Sequence, residues 1–231
     1  DLIEAAVAEN INAFVFSSSA AVYGTPDTVP TPEDAPLHPI NPYGTAKLMT
    51  EWMLRDVAQV SDLRYAALRY FNVAGADPQG RSGQCAAKAT HLIKIACEAA
   101  SGKRQRMEIH GDDYDTADGT CVRDYIHVSD LAAAHVVALD HLLGGDDNLT
   151  LSCGYGHGFT VRQVLDVLQD LVDKPLPISV GPRRPGDAPA LVADSRRIRE
   201  TLGWTPRFDD LRVIVESALA WERHLQARPA A

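Results

Sequence analysis

The sequence predicts an α/β protein built on a doubly wound parallel sheet, and three observations lead to this fold class. A strand-like apolar run, Ala13 to Phe16, leads directly into three serines. A second apolar run, Arg64 to Phe71, ends at Asn72. Segments with helical periodicity alternate with both runs, as in a parallel sheet that has helices on its faces. Polar side chains that follow such strands lie at the carboxyl edge of the sheet, where open α/β folds bind ligands.

Hydrophobic periodicity and capping residues locate the helices. Residues 1–7 have the pattern of the middle of an amphipathic helix, without a Met or a cap before them. Another helix is expected to open at Asn41 and Pro42, because these residue types favour the first positions of a helix. Thr160 and Gln163 form a capping-box pattern. Further helices are expected at residues 91–100, 128–143, 161–171 and 211–226.

Composition excludes several classes of protein. The 231 residues are 45% hydrophobic, which is enough for a substantial core, and no apolar run reaches the ~18 residues of a membrane span. A net charge of -9 disfavours a nucleic-acid or anionic-membrane partner. The four cysteines have neither metal-site nor disulfide spacing, so we expect no metal and a cytoplasmic location.

Tyr43 and Lys47 stand one helical turn apart, downstream of the serine cluster. A tyrosine hydroxyl has an ordinary pKa near ~10 and is a poor base at neutral pH. An ammonium group on the same helix face stabilises the phenolate, which makes Tyr43 a usable general base. We expect Ser19 to lie over the substrate oxygen. These groups can remove a proton from a sugar alcohol while a hydride leaves the same carbon.

A Tyr-x-x-x-Lys pair is common by chance, and an isolated pair is catalytic in roughly one case in ten. Its surroundings raise these odds, because a buried-type strand, a serine run and a Pro-rich loop precede it. Five segments resemble the extended short-chain dehydrogenase/reductase family, and within it the NAD-dependent epimerases and dehydratases of nucleotide sugars. They are Phe14 to Gly24, Pro42 to Glu51, Leu68 to Ala76, Gly119 to Asp130 and Pro182 to Asp187.

The resemblance implies a Rossmann-like fold, bound NAD and a UDP-sugar substrate. The implied reaction interconverts UDP-glucose and UDP-galactose through a 4-keto intermediate. It assigns the catalytic roles to Tyr43, Lys47 and Ser19. Residues expected at the cofactor are Ser17, Ser19, Tyr43, Lys47 and Phe71. Residues expected at the substrate are Asn72, His91, Leu92, Arg123, Arg184, Asp187 and Leu191.

The sequence departs from the family pattern at its beginning. Family members start with a strand, a Gly-x-x-Gly-x-x-Gly turn and a helix that hold the cofactor pyrophosphate, and these residues do not contain such a turn. We therefore expect a C-terminal piece of a longer protein that lacks its first third. We also expect this piece alone to bind NAD poorly and to be inactive.

The resemblance also implies two interleaved layers. Residues 1–75 and 120–153 are expected to form the remainder of the cofactor-binding domain. Residues 76–119 and 154–231 are expected to form a smaller α/β lobe over the substrate. The full-length protein is expected to be a homodimer, with an exposed apolar face of the Tyr43 helix at the contact. The residues of that face are Met49, Trp52 and Met53, which periodicity alone could equally assign to the core.

Related activities remain as alternatives. Dehydratases and decarboxylases have an acidic residue at the end of the serine strand, whereas this sequence has Ala20 and Ala21. A UDP-glucuronate 4-epimerase needs only an added cationic contact. A UDP-N-acetylglucosamine 4-epimerase depends on the residue beside C2, which the resemblance identifies as Leu191, a side chain of intermediate size. A non-catalytic sensor of nucleotide sugars or dinucleotides is the alternative from a different class.

Overall fold

The structure, a computed structural model, describes residues 2–227, which form helices and mostly parallel strands. The helices are α1 (Leu2–Ala8), α2 (Pro42–Ala58), α3 (Leu92–Ala100), α4 (Val128–Leu143), α5 (Val161–Gln169), α6 (Arg196–Leu202) and α7 (Leu211–Ala227), with a short 3-10 helix at Ala20–Val22. The strands are β1 (Ala13–Ser17), β2 (Arg64–Tyr70), β3 (Asn72–Ala74), β4 (Met107–His110), β5 (Val122–Arg123), β6 (Tyr125–His127), β7 (Leu149–Cys153), β8 (Phe159–Thr160), β9 (Ile178–Gly181) and β10 (Ala190–Leu191).

The main sheet has the order β1-β2-β7, and all its strands are parallel. Its central strand, β2, is buried on both faces. Tyr65 and Ala67 pack with apolar residues of α1 and α2, whereas Ala66 and Leu68 pack into the larger core that includes α4. Because successive side chains of a strand point to opposite faces, this alternation puts α2 and α4 on opposite sides of the sheet. The predicted α/β class with a parallel, doubly covered sheet is confirmed.

Shorter strands extend the fold beyond the main sheet. Strand β3 continues from β2 and pairs in parallel with β6. Strand β5 pairs with β10 and, in antiparallel fashion, with β8. Strands β4 and β9 form a separate parallel pair. Residues of β3, β4, β5 and β6 line the cleft described below.

The predicted helices are confirmed with small shifts of their ends. Both hydrogen bonds of the capping box between Thr160 and Gln163 are formed, so α5 begins at Val161 as expected. It ends at Gln169 rather than at Leu171, because the chain turns after that residue. Sequence analysis did not identify most of the two- to four-residue strands or α6, since each of these segments contains at most two periods of its pattern. Of the helices formed by residues 2–227, none has the length and apolar character needed to cross a membrane.

Candidate active site

The serine cluster lies where β1 leaves the main sheet. Ser17 is the last residue of β1 and pairs with Leu68 of β2. Ser19 caps the 3-10 helix that follows, and its hydroxyl accepts a hydrogen bond from the backbone N–H of Ala21 at 3.2 Å. The Ser19 side chain is almost fully buried. The hydroxyl predicted for the substrate oxygen is therefore held in place by local backbone geometry.

Helix α2 begins directly against this turn. The Asn41 side chain accepts a hydrogen bond from Gly44 N–H at 2.9 Å, which fixes the first turn of the helix. A Cβ atom on Gly44 would lie only 2.5 Å from the carbonyl oxygen of Ala21. Only glycine allows so close an approach, and it brings the first turn of α2, which contains Tyr43, beside the turn that Ser19 caps.

Lys47 extends from α2 back to the end of β1. Its Nζ donates a hydrogen bond to the carbonyl oxygen of Ser17 at 2.8 Å. The same Nζ lies 5.6 Å from the centre of the Tyr43 ring and 5.0 Å from that of Phe16. The one-turn spacing of the motif thus brings an ammonium group next to the phenol ring, at the carboxyl edge of the sheet. About half of the Tyr43 side chain is exposed.

A cleft of about 440 Å³ opens between this sheet edge and the short strands. It brings together residues that the sequence predicted at widely separated positions, namely Tyr43, Asn72, His91, Leu92, Arg123, Arg184 and Asp187. The other predicted residues are not part of its lining. Ser17 and Ser19 lie at the end of β1, and the Lys47 side chain extends to this end from α2. Phe71 is buried in an apolar cluster against which the partly buried Leu191 packs.

Two of the predicted substrate contacts pair with each other. Arg123 Nη2 lies 3.4 Å from Asp187 Oδ1, and Arg123 Nη1 donates to the carbonyl oxygen of Val122 at 2.8 Å. The Arg123 side chain is largely buried, so its guanidinium is fixed in direction. Arg184 lines the same cleft, whereas its neighbour Arg183 pairs with Asp113 on the surface. The cleft lining therefore includes two guanidinium groups, of which that of Arg123 pairs with the Asp187 carboxylate.

Several cleft residues were not found by sequence analysis. Strand β4 contributes Glu108 and His110, whose Nδ1 lies 3.3 Å from Glu108 Oε1. Tyr125 contributes from β6. The alternating pattern from Met107 to His110 was the available signal, but four residues are too few to distinguish a strand from a turn.

A second tyrosine, Tyr70, lies close to the catalytic candidates. Burial raises the pKa of the Tyr70 hydroxyl, the neighbouring Tyr43 raises it further, and a hydrogen bond with Ser17 lowers it. The Tyr70 hydroxyl therefore interacts with the Ser17 side chain directly and with the Tyr43 phenol electrostatically. Sequence analysis treated Tyr70 only as part of a strand.

A buried ion pair anchors α2 to the sheet beneath this site. Glu51, two turns after Tyr43, accepts hydrogen bonds from Arg69 of β2 at 2.7 and 3.0 Å. Ser18 donates to the same carboxylate at 2.5 Å. Burial by itself lowers the pKa of Arg69, but the hydrogen bonds to Glu51 outweigh it, so that pKa lies above its ordinary value. The serine cluster, α2 and β2 are thus tied to one carboxylate.

A phenol, an ammonium and a hydroxyl at the carboxyl edge of a parallel sheet are the groups of a dehydrogenase-like α/β protein. The chain belongs to the NAD dependent epimerase/dehydratase family, which matches residues 1–154. It is 57% identical to a UDP-glucose 4-epimerase of Azospirillum brasilense over 225 residues, which are 97% of this chain and 65% of that relative. The chain therefore spans about two thirds of the length of this relative.

Solved structures with the same fold include proteins named as nucleotide-sugar 4-epimerases. The UDP-glucose 4-epimerase of Brucella ovis, in complex with NAD, is 44% identical and has a TM-score of 0.91 over 95% of this chain and 67% of its own. The UDP-Glc/GlcNAc 4-epimerase of Campylobacter jejuni is 46% identical and has a TM-score of 0.80 over 96% of this chain and 68% of its own. These similarities cover both the main sheet and the cleft.

Proposed function

We propose that the full-length protein is a UDP-glucose 4-epimerase that interconverts UDP-glucose and UDP-galactose with bound NAD. The observation that supports this most directly is the cleft, whose lining includes Tyr43 together with Arg123 and Arg184. A base for a sugar hydroxyl and two guanidinium groups for a diphosphate are the groups that a nucleotide sugar requires. The names of the similar proteins agree with this assignment.

The residues at the end of β1 fit the nicotinamide end of the cofactor. Lys47 and the phenol of Tyr43 form a polar edge, and Phe71 directly follows the adjacent strand, β2. We assign these residues, with Ser17 and Ser19, to the nicotinamide and its ribose. NAD, when bound, accepts a hydride from C4 of the sugar and returns it, which leaves the overall redox state unchanged. The glycine-rich turn of the family does not occur in these residues, so this assignment concerns the nicotinamide end alone.

Tyr43 acts as the base and the acid of the reaction. Its phenolate takes the proton of the 4-hydroxyl as the bond to hydrogen at C4 breaks, and it returns a proton when the 4-keto sugar is reduced from its other face. The Lys47 ammonium, held on the Ser17 carbonyl, stabilises the phenolate. Ser19 donates a hydrogen bond to the reacting oxygen. Together, these three groups transfer one proton from the sugar hydroxyl and return one to it.

The remaining cleft residues hold the nucleotide while the sugar turns. Arg123 and Arg184 neutralise the phosphates, since guanidinium donors match phosphate oxygens in pairs. Asp187 accepts hydrogen bonds from a ribose hydroxyl. Anchoring at this remote end lets binding energy serve the chemical step. We assign the sugar and diphosphate contacts nearest the sheet to Asn72, His91 and Leu92.

A second candidate activity is epimerisation of UDP-N-acetylhexosamines. It is favoured by the 46% identity to the Campylobacter jejuni UDP-Glc/GlcNAc 4-epimerase and by Leu191, which we assign to the neighbourhood of the C2 substituent. A leucine is smaller than the large aromatic side chain that would exclude an acetamido group. We expect UDP-glucose and UDP-galactose as the main pair and slower turnover of the N-acetylated pair. Comparable rates on both pairs would contradict this preference.

The proposal includes a division into lobes and an assembly. We assign residues 1–75 and 120–153 to the cofactor layer, and residues 76–119 and 154–231 to the substrate lobe. Residues 1 and 228–231 of these ranges lie outside the part of the chain that the structure describes. Met49, Trp52 and Met53 are about half exposed on one face of α2, which supports a homodimer of the full-length protein through this helix. All four cysteines are free thiols, which is consistent with a cytoplasmic location.

The test is turnover of UDP-galactose by the full-length protein, followed by coupled oxidation of the UDP-glucose formed. We expect Tyr43→Phe to lower kcat by at least ~100-fold, because it removes the acid/base group. The control is Tyr65→Phe, which alters a core tyrosine on the α2 side of the sheet. A Tyr43→Phe variant with nearly normal kcat would refute the role of Tyr43. A wild-type protein that binds UDP-galactose without converting it would instead be a sensor.

A further inference from the structure

The carbonyl that receives the Lys47 ammonium belongs to a serine that is itself held from the opposite face of the sheet. His135 extends from α4, and its Nε2 lies 2.7 Å from the hydroxyl of Ser17. The other ring nitrogen, Nδ1, lies 2.9 Å from the carbonyl oxygen of Leu131, one turn earlier in the same helix. The histidine thus connects the backbone of α4 to the last residue of β1.

The partners of His135 fix its tautomer. A carbonyl oxygen can only accept, so Nδ1 must carry a proton. In the neutral ring Nε2 is then an acceptor, and the Ser17 hydroxyl donates to it. The Tyr70 ring lies beside the imidazole, tilted by 51° with its centre 6.4 Å away. Both the position and the hydrogen-bonding direction of the imidazole are therefore determined by its surroundings.

Ser17 needs such support because the chain leaves the sheet at this residue. The N–H of Ser18 turns back to the carbonyl oxygen of Phe16 at 3.0 Å, so the regular ladder ends here. Beyond the ladder, Ser17 is restrained through its side chain, which hydrogen-bonds with His135 and with Tyr70. The Lys47 Nζ is 2.8 Å from that carbonyl oxygen.

We propose that His135 is a positioning residue, which holds Ser17 so that its carbonyl oxygen receives the Lys47 ammonium beside Tyr43. It touches neither the sugar nor the cofactor in this scheme and acts only through Ser17 and Lys47. The kinetic consequences of this inference rest on the proposed function, because a fixed Lys47 ammonium affects the rate only by stabilising the Tyr43 phenolate. The geometric part of the inference does not depend on the substrate.

Two substitutions separate positioning from simple packing. His135→Leu keeps much of the side-chain volume and removes the acceptor, whereas His135→Gln retains an amide oxygen close to the position of Nε2. In the full-length protein we expect His135→Leu to lower kcat roughly tenfold, with KM changed by less than about twofold, as for the loss of one hydrogen bond in the transition state. The acidic limb of the pH–rate profile should move to higher pH. His135→Gln should restore most of kcat.

The matched control is His141→Leu. His141 lies on the same helix, and its ring also binds a carbonyl oxygen, that of Asp147 at 3.0 Å, but it does not contact Ser17. This variant should leave the pH–rate profile unchanged. If His135 has only a structural role, His135→Leu will lower the thermal midpoint of unfolding without moving the acidic limb, and that result overturns the proposal. If His135→Leu does not fold, Ser17→Ala replaces it, because this variant removes the hydroxyl with little change in volume. It should shift the acidic limb of the pH–rate profile in the same way.

A double-variant cycle with Lys47→Met tests the route of the effect. If His135 acts through Lys47, His135→Leu should change kcat by less than about twofold in the Lys47→Met background. An undiminished tenfold loss there refutes the proposal. A crystal structure of the His135→Leu protein supplies a readout apart from activity. We expect the distance from Lys47 Nζ to the Ser17 carbonyl oxygen to exceed ~3.5 Å. A retained contact refutes the positioning role even if the wild-type protein proves not to be an epimerase.

Discussion

The buried ion pair between Glu51 and Arg69 gives the sharpest stability prediction. Both side chains are about 6% exposed, and the carboxylate also accepts the hydroxyl of Ser18. We consider Glu51→Gln, which keeps the size and shape of the side chain and removes its charge. The guanidinium of Arg69 would then remain buried with neutral partners alone, which are the amide oxygen that the substitution leaves, the hydroxyl of Tyr23 and the carbonyl oxygen of Glu33.

The size of the effect follows from the electrostatics of the pair. Opposite charges ~4 Å apart attract each other by about 4 kcal/mol at the effective dielectric constant of a protein site. Removing one partner of a buried pair typically costs about 3–5 kcal/mol, since the other charge stays out of water. A domain is stable by only about 5–15 kcal/mol, so this single amide would remove a large share of the total.

The assay is urea unfolding of the full-length protein at pH 7.5, followed by tryptophan fluorescence and by circular dichroism. We expect the free energy of unfolding of Glu51→Gln to fall by about 3–5 kcal/mol with little change in the slope against urea. Asp56→Asn is the matched control, because Asp56 lies on the same helix and pairs with Arg55 in solvent. It should cost less than about 1 kcal/mol. A loss below 1 kcal/mol for Glu51→Gln would refute the account of the buried pair.

Two further predictions follow from the packing of the site and from its surroundings. Gly44→Ala would put a Cβ 2.5 Å from the carbonyl oxygen of Ala21. We therefore expect α2 to shift, kcat to fall and about 1–3 kcal/mol of stability to be lost. The control, Gly144→Ala at the end of α4, should have little effect. Burial lowers the pKa of His127, so the unfolded state binds more protons below pH ~6.5. The free energy of unfolding should therefore decrease as pH falls from 7.5 to 5.5, and His127→Gln should flatten this decrease; an unchanged pH dependence would contradict the assignment.

The local part of the site could be predicted from the sequence. The spacing of Tyr43 and Lys47, the serines after β1 and the cap at Asn41 are short-range patterns, and physical rules relate each of them to one element. The structure forms α2 at the expected residue and brings the ammonium beside the ring. The fold class followed in the same way from the apolar runs of β1 and β2.

The sequence did not reveal the contacts that join distant segments. His135 and Ser17 are 118 positions apart, and Arg123 and Asp187 are 64 apart. No periodicity or capping rule relates such residues, because their meeting depends on how the sheet and the short strands are assembled. A charged residue such as Arg69 inside a strand is a weak local signal, since its partner can be identified only once α2 lies over β2.

The buried pair also raises the question of why polar groups lie under the site at all. Replacing a buried ion pair with apolar residues of similar volume is often neutral or stabilising, so stability alone does not explain Glu51 and Arg69. Their geometry does, because one carboxylate binds the strand through Arg69 and the serine cluster through Ser18 while it is itself part of α2.

We therefore expect the double variant Glu51→Leu with Arg69→Met to regain much of the stability that Glu51→Gln loses, as measured by urea unfolding, since no charge remains buried. It should not regain kcat on UDP-galactose, because apolar packing does not fix the direction in which α2 presents Tyr43 and Lys47 to the serines. A double variant that is both stable and fully active would show that packing alone aligns the site. A double variant as unstable as Glu51→Gln would show that the hydrogen bonds to Ser18 and Tyr23, rather than the charges, hold this part of the fold together.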